Sequence, residues 1–207
     1  MHSQGFAPLA RADARVLVLG SLPGRESLRR RQYYAQPQNA FWRIMGALFD
    51  AGPEHSYAER RARLLAARVA VWDVCAAAYR AGSLDSSIVA SSVVANDLGR
   101  FLARHPGIGL VCFNGAKAAA LYRRHVLPAL PAPLRELRCV VLPSTSPAHA
   151  ALRLERKIAA WALLRAHVGR DRAASGGTIR APRRANAPAG SGSRPRSSRS
   201  PRGGRNH

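Results

Sequence analysis

The chain has 207 residues, with 33 lysines and arginines against 11 acids, a formal net charge of +22. That length suits one domain with some chain left over, and the charge points to a polyanionic partner. No apolar run reaches the roughly 18–20 residues of a membrane span, the first residues show no secretory apolar stretch, and three scattered cysteines argue against a disulfide framework or a four-cysteine metal or iron–sulfur site.

In chain order, short β-rich runs alternate with helical stretches. A buried strand is predicted over 15–19 (RVLVL), ending at Gly20. Helices are predicted over 40–49 and 56–67, and a second strand over 69–74 (VAVWDV). A helix over 91–103 leads to a third strand at 109–113 (GLVCF), followed by Asn114 and Gly115. A helix over 116–126, a fourth strand at 138–142 (RCVVL) and a helix over 152–167 complete the series. Apolar strands bounded by turn residues read as parallel and covered on both faces. The pattern is therefore α/β, with helices on either side of a parallel sheet.

From Gly169 to His207 the composition shifts to Arg, Ser, Gly, Pro and Ala, with ten arginines and one acid, Asp171. Such a segment cannot bury enough apolar surface to offset its ordering entropy, so a disordered basic tail is expected. It would hold phosphates without sequence preference. Residues 1–168, the expected folded domain, still carry 23 basic and 10 acidic side chains. The basic character is thus not confined to the tail.

Ligands of open parallel sheets bind beyond the carboxyl ends of the strands. The unusual sequence of this chain lies there. After the first strand comes Gly20-Ser21-Leu22-Pro23-Gly24, a tight turn with accessible backbone N–H groups but neither a dinucleotide nor a Walker fingerprint. Next is Gln32–Trp42 (QYYAQPQNAFW), in which Tyr34 and Asn39 stand out; Asn39 either caps the following helix or faces a site. Asp73 ends the second strand amid apolar residues, a carboxylate that needs a partner, and Tyr79–Asp85 (YRAGSLD) follows. Asn114 is either a turn residue or a side chain aimed into a cleft. After the fourth strand come Ser144, Thr145, Ser146, Pro147, Ala148 and His149, hydroxyls suited to phosphate contacts. A nucleophilic Ser146–His149 pair is the rival reading, without a G-x-S-x-G elbow to support it.

These five segments, in this order, resemble the uracil-DNA glycosylase superfamily, and most closely its deoxyinosine (hypoxanthine) branch. The resemblance covers about residues 14–167. The mismatch-specific uracil/thymine branch shares the Pro37-x-Asn39-x-Phe41-Trp42 pattern but usually has Asn in the first motif, where this chain has Leu22. The classical uracil enzymes place Asp in that loop, also missing here. The resemblance therefore implies Asn39 as the catalytic residue. It implies a three-layer α/β/α sandwich around a four-stranded parallel sheet, and no metal or cofactor. The partner would be DNA containing deaminated bases, and the activity hydrolysis of the bond from deoxyribose C1′ to a flipped hypoxanthine. Ser21, Leu22, Pro23, Gly24, Tyr34, Asp73 and Asn114 would form the base pocket, with Tyr34 stacking on the base. Residues 144–149 would grip the backbone and enter the vacated stack. The alternatives are a uracil or G:T/G:U mismatch glycosylase of the same fold and a catalytically silent nucleic-acid-binding module. We expect a cytoplasmic monomer working on chromosomal DNA.

Overall fold

All four predicted strands form, within one residue of their expected ends, and they pair with one another. In the computed structural model, which describes residues 2–82 and 84–175, strands β2 (Val16–Gly20), β3 (Val69–Asp73), β6 (Leu110–Asn114) and β7 (Arg138–Leu142) make a parallel sheet in the order β3-β2-β6-β7. Period-two alternation sends successive side chains to opposite faces. Leu17, Leu19, Val111 and Phe113 enter one core with Leu98, Phe101 and Leu102 of α4 (Leu98–Arg104) and Leu121 and Tyr122 of α5 (Ala116–His125). Val16, Val18, Val71 and Cys112 enter the other, against α2 (Phe41–Phe49), α3 (Tyr57–Ala66), α7 (Leu154–Trp161) and α8 (Leu163–Ser175). The result is the parallel sheet covered by helices on both faces that the sequence pattern implies, and the three-layer α/β/α sandwich that the resemblance implies.

Local chemistry sets several helix ends. Ser56 and Glu59 form a reciprocal capping box at the start of α3. Asp97 accepts from the Arg100 N–H at 2.9 Å and starts α4 there. The helix predicted over 91–103 is therefore shorter. Ser92 instead accepts from the Tyr79 N–H (2.8 Å) and donates to the Val89 carbonyl (2.7 Å), and hydroxyl bonds of this kind compete with a helix. That stretch holds a 3₁₀ turn, Ala90–Ser92, and a short strand β5 (Val94–Ala95). With β1 (His2–Gln4) and β4 (Cys75–Tyr79), β5 makes a small antiparallel sheet in the order β1-β4-β5. Leu9 bridges to Val71, so the N-terminal segment covers the outer edge of β3. The final predicted helix is two, α7 and α8, with the Ala162 N–H shared between the Ile158 and Ala159 carbonyls at the junction. A short helix α1 (Arg25–Arg30) and a single turn α6 (Ala132–Arg135) complete the fold. Helix α8 runs to Ser175, into the segment assigned to the basic tail; residues 176–207 of that segment lie outside the described residues. No described helix is long and apolar enough to cross a membrane.

Cys75 and Cys112 are buried, whereas Cys139 lies on the edge strand β7 and is exposed.

Candidate active site

Three strand ends set the floor. Gly20 and Asp73 are register partners at the last rung of β2 and β3, and Asn114 is the last residue of β6. From this floor opens a cleft of about 640 Å³. Its walls include every residue predicted for the site: Ser21, Leu22, Pro23, Gly24, Tyr34, Asn39, Asp73, Asn114 and the whole 144–149 loop. Five segments far apart in sequence thus meet in one place, of a size that suits a small-molecule site.

Each segment is held by specific bonds. The Asn39 carboxamide oxygen accepts from the Phe41 N–H at 3.0 Å, at the first turn of α2. Asn39 is thus not the N-cap, which is Ala40; its side chain steadies the approach to α2 and also lines the cleft. Phe41 and Trp42 are core residues. The Ala40 N–H donates to the Thr145 carbonyl at 2.9 Å, tying the Asn39 segment to the 144–149 loop. Asn114 and Thr145 form a reciprocal pair, with Asn114 Nδ2 donating to Thr145 Oγ1 and the Thr145 N–H to Asn114 Oδ1, both at 2.8 Å. The Asn114 oxygen is thus engaged in shaping the loop, and its side chain also interacts with the Tyr34 hydroxyl. Gly115 has φ +95°, and a Cβ there would lie 2.9 Å from Ser144 Cβ, so only glycine lets loop and helix approach this closely.

Tyr34 sits in the left-handed region at φ +53°, a conformation unusual for an aromatic residue. One ring face stacks on Phe41, with centroids 3.9 Å apart and planes at 21°. Its hydroxyl is buried beside Asn114 and Asp73, and burial raises its pKa.

Asp73 is the main electrostatic feature. It is 3% exposed, and its Oδ2 has no hydrogen-bond partner among the described residues. Burial pushes its pKa up to about 8; the nearby Asp85 carboxylate adds to the rise and the Arg80 guanidinium opposes it. At neutral pH Asp73 is therefore mostly a neutral acid, able both to donate and to accept. A Cβ on Gly20 would collide with this carboxyl, which is why the strand ends in glycine. The raised pKa has a thermodynamic consequence. Between about pH 4 and pH 8 the folded protein binds the proton that the unfolded chain releases, so stability falls as pH rises through that window. The contribution is intact below about pH 4 and fully lost above about pH 8. Replacing Asp73 by Asn should remove a slope of up to about 1.4 kcal/mol per pH unit from the unfolding free energy measured by denaturant titration across that range. Parallel profiles for the two proteins would show that Asp73 ionises normally.

Arg80 was missed as a site residue. It is 1% exposed, and it donates to the Leu22 carbonyl (3.3 Å) and the Pro23 carbonyl (2.5 Å) while its guanidinium lies 3.8 Å from the Asp85 carboxylate. It braces the Ser21–Gly24 turn from behind. Asp85 in turn interacts with the Ser21 hydroxyl, which lowers the carboxyl pKa against the upward push of burial. In a chain with so many arginines, one more within an Ala/Gly/Ser segment reads as solvated; its place between Asp73 and Asp85 was the available signal. Lys117, on the first turn of α5, also lines the cleft and was not anticipated.

The 144–149 loop grades from buried Thr145 to exposed Pro147, Ala148 and His149. The Ser146 hydroxyl accepts from the Ala148 N–H at 3.3 Å, and no hydrogen bond joins it to the His149 ring among the described residues. The geometry of a serine nucleophile with a histidine base is not formed here.

Comparison with known proteins shows the family of this chain. The profile of the uracil DNA glycosylase superfamily matches residues 7–165. A hypoxanthine DNA glycosylase of Methanosarcina acetivorans is 38% identical over 119 residues, 57% of this chain and 74% of the relative. A hypoxanthine DNA glycosylase of Methanosarcina barkeri is 35% identical over 119 residues, with the same coverage. A solution NMR structure of a candidate uracil DNA glycosylase from Methanosarcina acetivorans superposes with a TM-score of 0.64 at 33% identity, covering 79% of this chain and 99% of that one. The chain belongs to the uracil DNA glycosylase superfamily.

Proposed function

We propose that the protein is a monofunctional DNA N-glycosylase that extrudes hypoxanthine from DNA and hydrolyses its bond to deoxyribose C1′, the first step of base excision repair. The observation that carries this reading is the convergence of Asn39, Tyr34, Asp73, Asn114 and the 144–149 loop on one cleft. The two hypoxanthine DNA glycosylases similar to this chain favour the purine substrate.

The target base lies inside the duplex and must be flipped, at a cost of a few kcal/mol that is smaller for a damaged pair. Ser144 and Ser146 grip the backbone, and the exposed tip of Pro147, Ala148 and His149 enters the vacated stack. The extruded base lies against the ring face of Tyr34 that Phe41 leaves open. Asp73, neutral at physiological pH, accepts from N1–H of hypoxanthine and donates to the adjacent O6. The Asn39 amide, fixed by its bond to Phe41, orients a water at C1′. As the C1′–N9 bond breaks, positive charge grows on the sugar and the base leaves with the bonding pair. Water supplies a hydroxyl to C1′ and its proton ends on the released base. Backbone N–H groups of the Ser21–Gly24 turn and the Asn114 amide stabilise the departing anion. No covalent enzyme intermediate is required. The same reading makes the protein a cytoplasmic monomer acting on chromosomal DNA, with the basic segment 169–207 adding non-specific backbone contacts.

A uracil-directed enzyme is the second reading, favoured by the description of the similar NMR structure. A panel of duplexes containing inosine, uracil, xanthine or G:T separates the two. We expect excision of hypoxanthine to be fastest by at least about tenfold, with strand scission appearing only after alkali. Faster uracil release would replace the purine assignment. Tight DNA binding with no abasic product from any duplex would make the protein a binding module.

A further inference from the structure

A second cavity, of about 240 Å³, shares a wall with the cleft. Thr145, Ser146 and Pro147 border both spaces. The 38–40 segment divides in the same way, with Asn39 on the cleft and Gln38 and Ala40 on the cavity. One thickness of loop therefore separates the two.

Two cations reach this cavity, Arg43 from α2 and Lys157 from α7. Lys157 is 5% exposed, and one of its three N–H groups donates to the His149 carbonyl at 2.9 Å. No carboxylate lines the space, whereas Glu26, Asp73 and Asp85 all line the cleft. Neither Arg43 nor Lys157 has an ion-pair partner among the described residues. Burial and the neighbouring Arg43 charge both lower the Lys157 pKa, which reflects two like charges held near each other without a counterion. The Ser146 hydroxyl accepts from the Ala148 N–H, so its own proton is free to donate. A buried ammonium, a guanidinium and a hydroxyl around a small space lacking acids suit a tetrahedral oxyanion.

We propose that this cavity seats one backbone phosphate of the DNA strand whose base enters the neighbouring cleft, held by Arg43, Lys157 and the Ser146 hydroxyl. The proposal rests on reading the cleft as a glycosylase site. It adds a register device, because a phosphate fixed one loop-thickness from the base pocket sets which nucleotide can reach Asn39.

The test uses duplexes carrying a tetrahydrofuran abasic analogue, in which single phosphates near the lesion are replaced in turn by neutral methylphosphonate. Full-length wild-type protein should lose about three- to tenfold in affinity at one linkage, and Arg43→Gln should be insensitive at that linkage. The slope of log affinity against log salt should also fall by about 0.9 for Arg43→Gln on unmodified duplex. Lys157→Met should show the same insensitive linkage, and circular dichroism would separate this from loss of the fold. Losses that simply add at every linkage would overturn the proposal. A free-anion site would show instead as inorganic phosphate raising the thermal midpoint of wild type but not of Arg43→Gln, with no linkage coupled to Arg43. Failure of the glycosylase reading is a separate result: wild type would release no base, whatever the linkages show.

Discussion

Substituting Asn39 by Ala should lower the single-turnover rate of hypoxanthine release by about 100-fold or more, the scale at which loss of orientation is felt, while the fold survives. The side chain has two jobs that the experiment can separate. Its oxygen accepts from the Phe41 N–H, and loss of such a helix-start bond costs about 0.5–2 kcal/mol. In a domain of this size that is a drop in thermal midpoint of roughly 2–6 °C. Its side chain also lines the cleft, where the proposed mechanism has it hold the attacking water. Asn39→Asp keeps an acceptor for Phe41 and should recover most of the stability. The readout is alkali-dependent scission of an inosine duplex under enzyme excess, beside thermal melts. Unchanged cleavage by Asn39→Ala would remove the residue from the chemistry.

Arg80→Met should be strongly destabilising, by about 2–4 kcal/mol, because it leaves two buried carbonyls without their donor. The Leu22 and Pro23 carbonyls lose their donor, and the Asp85 carboxylate loses its counter-charge. With the brace gone, the Ser21–Gly24 turn loosens, and base release should slow even well below the new melting temperature. A further effect follows from the charges. Arg80 holds the Asp73 pKa down against burial, so its removal should move Asp73 above about 8. Arg80→Lys keeps the charge but lacks the planar fork that reaches two carbonyls, and should fall between wild type and Arg80→Met. A melting temperature for Arg80→Met within about 2 °C of wild type would mean that the guanidinium is not a brace.

The main sheet was legible in the sequence because its strands are short apolar runs cut off by Gly20, Asn114-Gly115 and Pro143, signals that survive any tertiary context. The smaller sheet was not. Strand β4 reads CAAAY, a composition that favours helix, and it is extended because backbone pairing with β1 and β5 decides the matter. Helix α1 escaped notice because RESLRR is too short and too charged to show an apolar face; ion pairs from Glu26 to Arg29 and Arg30 stabilise it instead. The residues that line the cleft were legible where their motifs are distinctive, as at Asn39 and the 144–149 loop. Arg80 lies in the YRAGSLD segment but nothing there sets it apart, Lys117 carries no motif, and only the folded chain reveals what the two touch.

The anchoring of the 144–149 loop bears on how the protein would examine a genome. Asn114 grips Thr145 from one side, Ala40 bonds its carbonyl from another, and Lys157 holds the carbonyl of His149. A probe tethered at three points has already lost its conformational freedom before any duplex arrives. Each encounter with an undamaged pair then incurs no fresh ordering penalty, so rejection can be quick. A scanning enzyme meets vastly more sound pairs than faulty ones, and if this loop is the interrogating finger proposed above, its stiffness would shorten every one of those fruitless stops.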